Sequence, residues 1–168
     1  IMIINNIRII DPFYDEINDI EFDKGKIIKI GKLNSEEKEV FDGTGLTLWP
    51  GFIDLHAHFR DPGYLYKEDL ETGSNSALAG GYTTVHLMAN TKPIVDDSEL
   101  YYNIMERGRS LSKINIMQVV SVTKGLLGKE LIDMESLSED IPFLSDDGKG
   151  ILSNKIMYEA MLKAASLN

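Results

Sequence analysis

Residues 51–63 read Gly51-Phe52-Ile53-Asp54-Leu55-His56-Ala57-His58-Phe59-Arg60-Asp61-Pro62-Gly63, an apolar run that leads through two histidines into a Pro-Gly turn. Side chains two positions apart on a strand point to the same face, so His56 and His58 would project together, with Asp54 one step below them. Barrels of parallel strands build their active sites where the strands end. The stretch therefore predicts a strand that presents two imidazoles to one metal ion.

Strands and helices alternate after Pro50, a pattern typical of a parallel sheet covered by helices. A complete eightfold barrel takes about 250 residues, and four βα units fit into residues 49–168. An open doubly wound sheet would carry a glycine-rich phosphate turn after a strand, and the sequence has none. We therefore predict an α/β fold, the first half of a (β/α)8 barrel, over residues 49–168. The predicted strands are 51–58, 82–89, 114–122 and 142–145, and the predicted helices are 68–79, from Asp97 or Ser98 to about 111, and about 155–167.

Residues 1–48 have a different pattern, that of short strands separated by turns. Strands at 20–22 and 27–30 flank the turn 23–26 and predict a hairpin with one solvent-exposed face. A charged bend at 35–38 and a glycine-containing turn at 42–45 follow. This segment is predicted to be the N-terminal part of a small β-sandwich, too small to bury much core alone.

The composition excludes several classes of protein. With 27 acidic and 17 basic side chains the net charge is −10, whereas nucleic acids and anionic membranes demand a basic surface. The chain has no cysteine, so a metal would be held by histidine and carboxylate, as expected for a cytoplasmic protein. No apolar run approaches the roughly 20 residues that cross a bilayer. A small-molecule substrate is the remaining expectation.

Several motifs occur in an order that is similar to one family. The string from His56 to Gly63 resembles the opening of the amidohydrolase superfamily, and specifically bacterial type I dihydroorotase. The likeness covers essentially the whole chain but only the N-terminal part of that family. The further matching segments are Glu71-Thr72-Gly73, Gly80-Gly81-Tyr82-Thr83-Thr84-Val85, Met88-Ala89-Asn90-Thr91-Lys92-Pro93, Asp146-Asp147-Gly148 and Met157-Tyr158-Glu159-Ala160-Met161.

The resemblance implies specific site residues. His56, His58 and Asp147 would be the metal ligands, and the metal would be Zn2+. Arg60 and Asn90 would hold the substrate carboxylate, for which the planar guanidinium is well matched.

One choice between two neighbouring carboxylates stays open. Adjacent strand residues face opposite ways, so only one of Asp146 and Asp147 can point to the metal. Related cyclic amidases carry a carboxylated lysine at this position. An aspartate therefore favours type I dihydroorotase over hydantoinase or allantoinase.

Two other residues of the same segments are assigned structural positions. His86 is predicted to be a hydrogen-bonded core histidine rather than a ligand. Asp54 is predicted to be a structural carboxylate beneath the two histidines rather than a metal ligand.

The resemblance implies the zinc-dependent, reversible cyclisation of N-carbamoyl-L-aspartate to L-dihydroorotate in de novo pyrimidine biosynthesis. In the family, two further histidine ligands and an aspartate that acts as general acid and base come from the fifth, sixth and eighth strands. This sequence has no histidine after His86, and no catalytic acid or base is assigned within it. We therefore expect the 168-residue chain by itself to be inactive or nearly so.

Two alternatives stay open beside this interpretation. One is a non-catalytic, dihydroorotase-like partner of aspartate transcarbamoylase, although a scaffold need not retain His56, His58 and Arg60. The other is a different cyclic amidase, such as a hydantoinase or an allantoinase. A homo-oligomer is compatible with each of these interpretations.

Overall fold

The computed structural model describes residues 1–34, 39–137 and 143–167. The chain divides into two compact units, Ile1–Pro50 and Gly51–Asn168. The predicted bend at residues 35–38 lies outside the described residues, and so does residue 142, where the predicted fourth strand begins.

The first unit is a five-stranded sheet in the order β3-β2-β1-β4, with β5 also beside β1. Strands β2 and β3 pair antiparallel and confirm the predicted hairpin, while β4 and β5 run parallel to β1. Positive φ angles at Lys24 and Gly25 close the turn, as a two-residue hairpin loop requires. The strands are β1 (Met2–Asp11), β2 (Tyr14–Asp23), β3 (Lys26–Gly31), β4 (Glu39–Asp42) and β5 (Thr47–Leu48).

The core of the first unit is small, as the sequence predicts, and centres on Ile7, Ile9 and Ile20. The prediction of one solvent-exposed face is wrong in detail. Glu21 is buried although it alternates with apolar neighbours. In β3, five of the six residues are exposed, so both faces of this strand meet solvent. The described residues of this unit form a single sheet, and the β-sandwich stays a prediction.

The second unit contains a parallel sheet in the order β6-β7-β8 with intervening helices. This alternation confirms the predicted barrel-type architecture. The elements are β6 (Phe52–Ala57), α1 (Leu70–Ala79), β7 (Tyr82–Leu87), α2 (Ser98–Leu111), β8 (Asn115–Gln118) and α3 (Asn154–Ser166), with 3-10 turns at Lys124–Leu126 and Met134–Ser136. The third strand is shorter than predicted. Of the fourth, the described residues contain one parallel bridge, between Val120 and Leu144.

Capping residues set the helix boundaries. The Asp69 carboxylate accepts the Thr72 backbone N–H, so α1 begins at Leu70, two residues after the predicted start. Asp97 caps α2 through the Leu100 N–H. After α1 the chain turns at Gly81, which has a positive φ of 83°.

The core of the second unit lies between the sheet and its helices. Leu70, Leu87 and Ile104 are among its most completely buried members, each at most 1% exposed. Because β6 and β7 pair in parallel, their carboxyl ends lie side by side at one edge of the sheet. No helix among the described residues is long and apolar enough to cross a membrane.

Candidate metal centre

The two histidines lie at the carboxyl end of β6. His56 belongs to the strand and His58 follows its last residue, and the centroids of their rings are 5.1 Å apart. The Asp54 carboxylate accepts the His56 backbone N–H at 2.9 Å, while the Ala57 carbonyl accepts the Met88 N–H of the neighbouring chain segment. These hydrogen bonds fix the backbone from which both imidazoles project to one side.

Asp147 approaches the same two rings from a distant part of the sequence. Its Oδ1 lies 3.3 Å from His56 Nε2, and its Oδ2 lies 3.6 Å from His58 Nε2. Ligand atoms from all three side chains lie within 4.8 Å of one another. Two ligands about 2.0–2.1 Å from a tetrahedral zinc ion are separated by about 3.3–3.5 Å. The two nitrogen–oxygen distances are close to this separation, and two imidazoles with one carboxylate are a donor set that fits a divalent metal ion.

The Asn90 side chain connects the members of this cluster. Its Oδ1 lies 3.0 Å from His58 Nδ1 and accepts from Arg60 Nη1 at 3.4 Å, while its Nδ2 donates to Asp147 Oδ2 at 2.9 Å. An amide oxygen can only accept, so His58 Nδ1 must carry the proton. In its neutral form such an imidazole has a lone pair on Nε2, the atom that faces Asp147, as a metal ligand requires.

The neighbouring Asp146 faces the other way. It is buried, and its carboxylate accepts the backbone N–H groups of Val122 and Thr123 at 2.8 and 3.0 Å and also the Thr123 hydroxyl. The two adjacent carboxylates thus have separate partners, although neither residue lies in a strand as predicted. Asp147 is the carboxylate that lies beside the histidines, and Asp146 joins this segment to the chain after β8.

Arg60 brings a positive charge to the edge of the cluster. It follows His58 by two residues and is half-buried, and its guanidinium reaches the Asn90 amide oxygen. The structure thus places all five predicted site residues in one group. Their assignments as metal ligands or carboxylate-binding residues stay predictions.

His86 is buried as predicted, but the predicted hydrogen bond is missing at one nitrogen. Its Nδ1 has no hydrogen-bond partner among the described residues, and its ring packs against Phe143 at a centroid distance of 4.9 Å. Burial lowers the pKa of His86, and the nearby Asp54 carboxylate partly opposes this shift. His86 therefore lies outside the set of residues that face Asp147.

Sequence reasoning missed two features of this site. It assigned Asn90 to the substrate alone and considered Asp146 only as an alternative ligand to Asp147. In the structure Asn90 contacts two of the clustered side chains, and Asp146 accepts backbone N–H groups. The position of Asn90 shortly after β7, at the carboxyl end of the sheet, is the signal by which the sequence could have indicated this contact. The partners of Asp146 lie 23 and 24 residues away in sequence, a separation that leaves no local pattern.

Comparison with known proteins adds independent evidence. The family described as "Dihydro-orotase-like" matches residues 45–168. The chain is 43% identical over 172 residues to the dihydroorotase of Clostridioides difficile, covering 99% of this chain and 41% of the relative. It is 42% identical over 171 residues to the dihydroorotase of Streptococcus pneumoniae, covering 99% and 40%. The chain thus spans about two fifths of the length of these curated relatives.

Solved structures resemble the fold as well. An L-hydantoinase from Arthrobacter aurescens superposes with a TM-score of 0.76 at 21% identity, over 99% of this chain and 38% of that one. A D-hydantoinase from Thermus sp. has a TM-score of 0.57 at 32% identity, over 73% of this chain and 28% of that one. Both span far more residues than this chain.

Proposed function

Because the chain belongs to the dihydro-orotase-like family, we propose that the protein carrying it is a dihydroorotase, which interconverts N-carbamoyl-L-aspartate and L-dihydroorotate. The observation that carries this proposal is the convergence of His56, His58 and Asp147 beside the Arg60–Asn90 pair. A metal site next to a fixed guanidinium suits a substrate that combines a cyclic amide with a carboxylate.

Zinc is the metal that we propose for this site. The ligands would be the Nε2 atoms of the two histidines and the Asp147 carboxylate, a nitrogen and oxygen set that zinc accepts. When bound, zinc supplies a Lewis acid that polarises the amide carbonyl and lowers the pKa of a coordinated water to about 7. Asn90 holds His58 in its Nδ1-protonated form and keeps Asp147 oriented.

Arg60 would bind the carboxylate that both substrates carry. A guanidinium offers two parallel N–H donors to a carboxylate, and it brings local positive charge to a chain whose net charge is −10. The Asn90 Nδ2 has a second N–H beyond the one given to Asp147 and can donate to the same group. These two residues would therefore fix the orientation of the ring relative to the metal.

Metal content and turnover test the proposal together. The longest natural polypeptide that contains these residues should bind zinc and hydrolyse L-dihydroorotate, and a chelator should abolish the activity. His58→Ala should lower the bound zinc, whereas Arg60→Ala should keep the zinc and raise the KM for L-dihydroorotate by about 10-fold or more, as expected for a lost charge-assisted hydrogen bond. A zinc-loaded protein without any turnover of this substrate would refute the assignment.

A different cyclic amidase is the second candidate, favoured by the 32% identity to a D-hydantoinase. Asp147 at the metal site argues against it, because the related amidases carry a carboxylated lysine there. A substrate panel with L-dihydroorotate, hydantoin and allantoin separates the candidates. Association with aspartate transcarbamoylase and formation of a homo-oligomer stay predictions, and size measurement of the purified protein with and without the transcarbamoylase tests both.

A further inference from the structure

An ion pair between a buried carboxylate and a half-buried arginine lies directly beside Arg60. Asp61 follows it in sequence and is 2% exposed, and its two carboxylate oxygens accept from Arg107 Nη1 and Nη2 at 2.8 and 2.6 Å. Arg107 belongs to α2, 46 residues away in sequence. The contact is a bidentate one, the form in which arginine imposes the most geometric restriction on a carboxylate.

The loop that contains Arg60 is closed on itself, because the Arg60 backbone N–H donates to the Glu68 carbonyl at 3.1 Å. It is also attached to the segment that follows β7, because the Lys92 N–H donates to the Pro62 carbonyl at 3.2 Å. Gly63 has a φ of 99°, and a Cβ at this position would lie 2.2 Å from the Lys92 carbonyl oxygen. The backbones on either side of the Arg60–Asn90 contact are therefore held close together.

Asp61 needs its partner because of its burial. A carboxylate removed from water is stable only when it is paired and hydrogen-bonded, and the described contacts give Asp61 both through Arg107. The adjacent backbone consequently has one favourable position, which is set by α2. Arg60, the residue before Asp61 in the chain, shares this attachment and meets Asn90 at 3.4 Å.

We propose that Asp61 and Arg107 form a positioning pair, which holds Arg60 opposite Asn90 and thereby sets the affinity of the site for the substrate carboxylate. The inference rests on the proposed function and adds specificity-setting residues to it. Neither side chain touches the cluster of His56, His58 and Asp147, so the pair acts on carboxylate binding and leaves metal binding unchanged.

The kinetic test uses Arg107→Gln in the longest natural form of the protein. We expect the KM for L-dihydroorotate to rise about 10-fold, with kcat within about threefold of wild type and zinc content unchanged. Arg107→Lys keeps the charge but loses the bidentate geometry. Its KM should lie between that of the wild type and that of Arg107→Gln. In an Arg60→Ala background, Arg107→Gln should raise the KM by a further factor of less than about two. The effects of two residues that act through one another on the same interaction do not add. An equal rise in KM in both backgrounds would overturn the proposal.

A second measurement does not depend on turnover. The side-chain amide signals of Asn90, followed by nuclear magnetic resonance, should shift in Arg107→Gln and in Asp61→Asn. They should not shift in Lys124→Gln, which removes an exposed ion pair with Glu130 elsewhere. Unchanged Asn90 signals in both variants of the pair would refute the positioning inference. Absence of wild-type turnover with shifted signals would instead refute the proposed function and leave the pair supported.

Discussion

The Asn90 amide connects His58, Arg60 and Asp147 in the candidate metal centre. It orients His58 and Asp147 together, and hydrogen bonds of this kind to metal ligands commonly contribute 10–100-fold to metal affinity. We predict that Asn90→Ala weakens zinc binding by about that factor, as measured by competition with a chromophoric chelator. Asn103→Ala, at an exposed position of α2, is the matched control and should bind zinc like the wild type.

The two neighbouring aspartates should respond differently to the same substitution. Asp147→Asn should lower zinc affinity at least about 10-fold with little change in the free energy of unfolding. Asp146→Asn should lower the free energy of unfolding by about 1–3 kcal/mol, because an amide cannot accept from three buried donors without bringing its own N–H groups against them. Urea denaturation measures the second effect. Similar effects of both variants on zinc and stability would contradict the assignment.

The buried His86 predicts a dependence of stability on pH. Its pKa is lowered by burial, so below the ordinary histidine pKa of about 6.5 the unfolded chain takes up a proton that the folded chain does not. The free energy of unfolding should therefore decrease as the pH falls from about 7 to about 5. Urea denaturation at both pH values measures this effect. In His86→Leu, the free energy of unfolding should differ less between the two pH values than it does in the wild type. An equal difference would mean that other groups account for it.

At this scale the sequence alone predicts side-chain direction but not side-chain partners. The period of two along β6 is sufficient to bring His56 and His58 together. The same rule, applied to the adjacent Asp146 and Asp147, predicts that only one of them faces the histidines. Which one it is depends on the contact of Asp146 with Thr123, 23 residues away in sequence. The Asp61–Arg107 contact spans 46 residues and has no local signature.

Among the elements, α1 depends on close contact at Gly73. Glycine within a helix is normally less favourable than alanine by about 0.5–1 kcal/mol, so the substitution Gly→Ala would usually stabilise. Here an added Cβ would lie 2.6–2.7 Å from the ring of Phe59. We predict that Gly73→Ala lowers the free energy of unfolding by about 1–3 kcal/mol. Ser76→Ala, at an exposed position of the same helix, is the control and should leave stability unchanged or slightly higher.

The helices and strands were predictable to the extent that local chemistry defines them. Turn residues place the β2–β3 hairpin, and helix-capping residues place α1 and α2 within two residues. The parallel pairing of β4 and β5 with β1 was not predicted, because it joins segments separated by more than 30 residues. The predicted strand 114–122 proved too long, since β-branched composition does not indicate where hydrogen-bonded pairing stops.

At the scale of the whole molecule, the parallel sheet of the second unit has an unpaired edge. In the described part of the chain β6 pairs only with β7, and Phe52, Ile53 and Leu55 on it are 52–60% exposed. Exposed apolar strand edges of this kind are normally covered by further structure. The curated relatives, of which this chain covers about 40%, have the length to provide it.

We therefore predict that the 168-residue chain alone does not hydrolyse L-dihydroorotate above background. Proton transfer to the leaving nitrogen needs a positioned acid. Among the described carboxylates near the histidines, Asp147 is shared with both rings and Asp54 accepts a backbone N–H. A sensitive spectrophotometric assay of the purified chain measures this, with the dihydroorotase of Clostridioides difficile as positive control. Chelator-sensitive turnover by the short chain would contradict the expectation.

The opposite orientations of Asp146 and Asp147 also predict how the gene tolerates mutation. In a saturation library, alleles altered at codon 146 should disappear from a screen for cellular abundance, because that carboxylate is part of the folded backbone network. Alleles altered at codon 147 should survive that screen and be lost only under selection for growth without added pyrimidines. Two adjacent aspartates would thus be retained by two separate selective pressures, one on the cellular abundance of the protein and one on its activity.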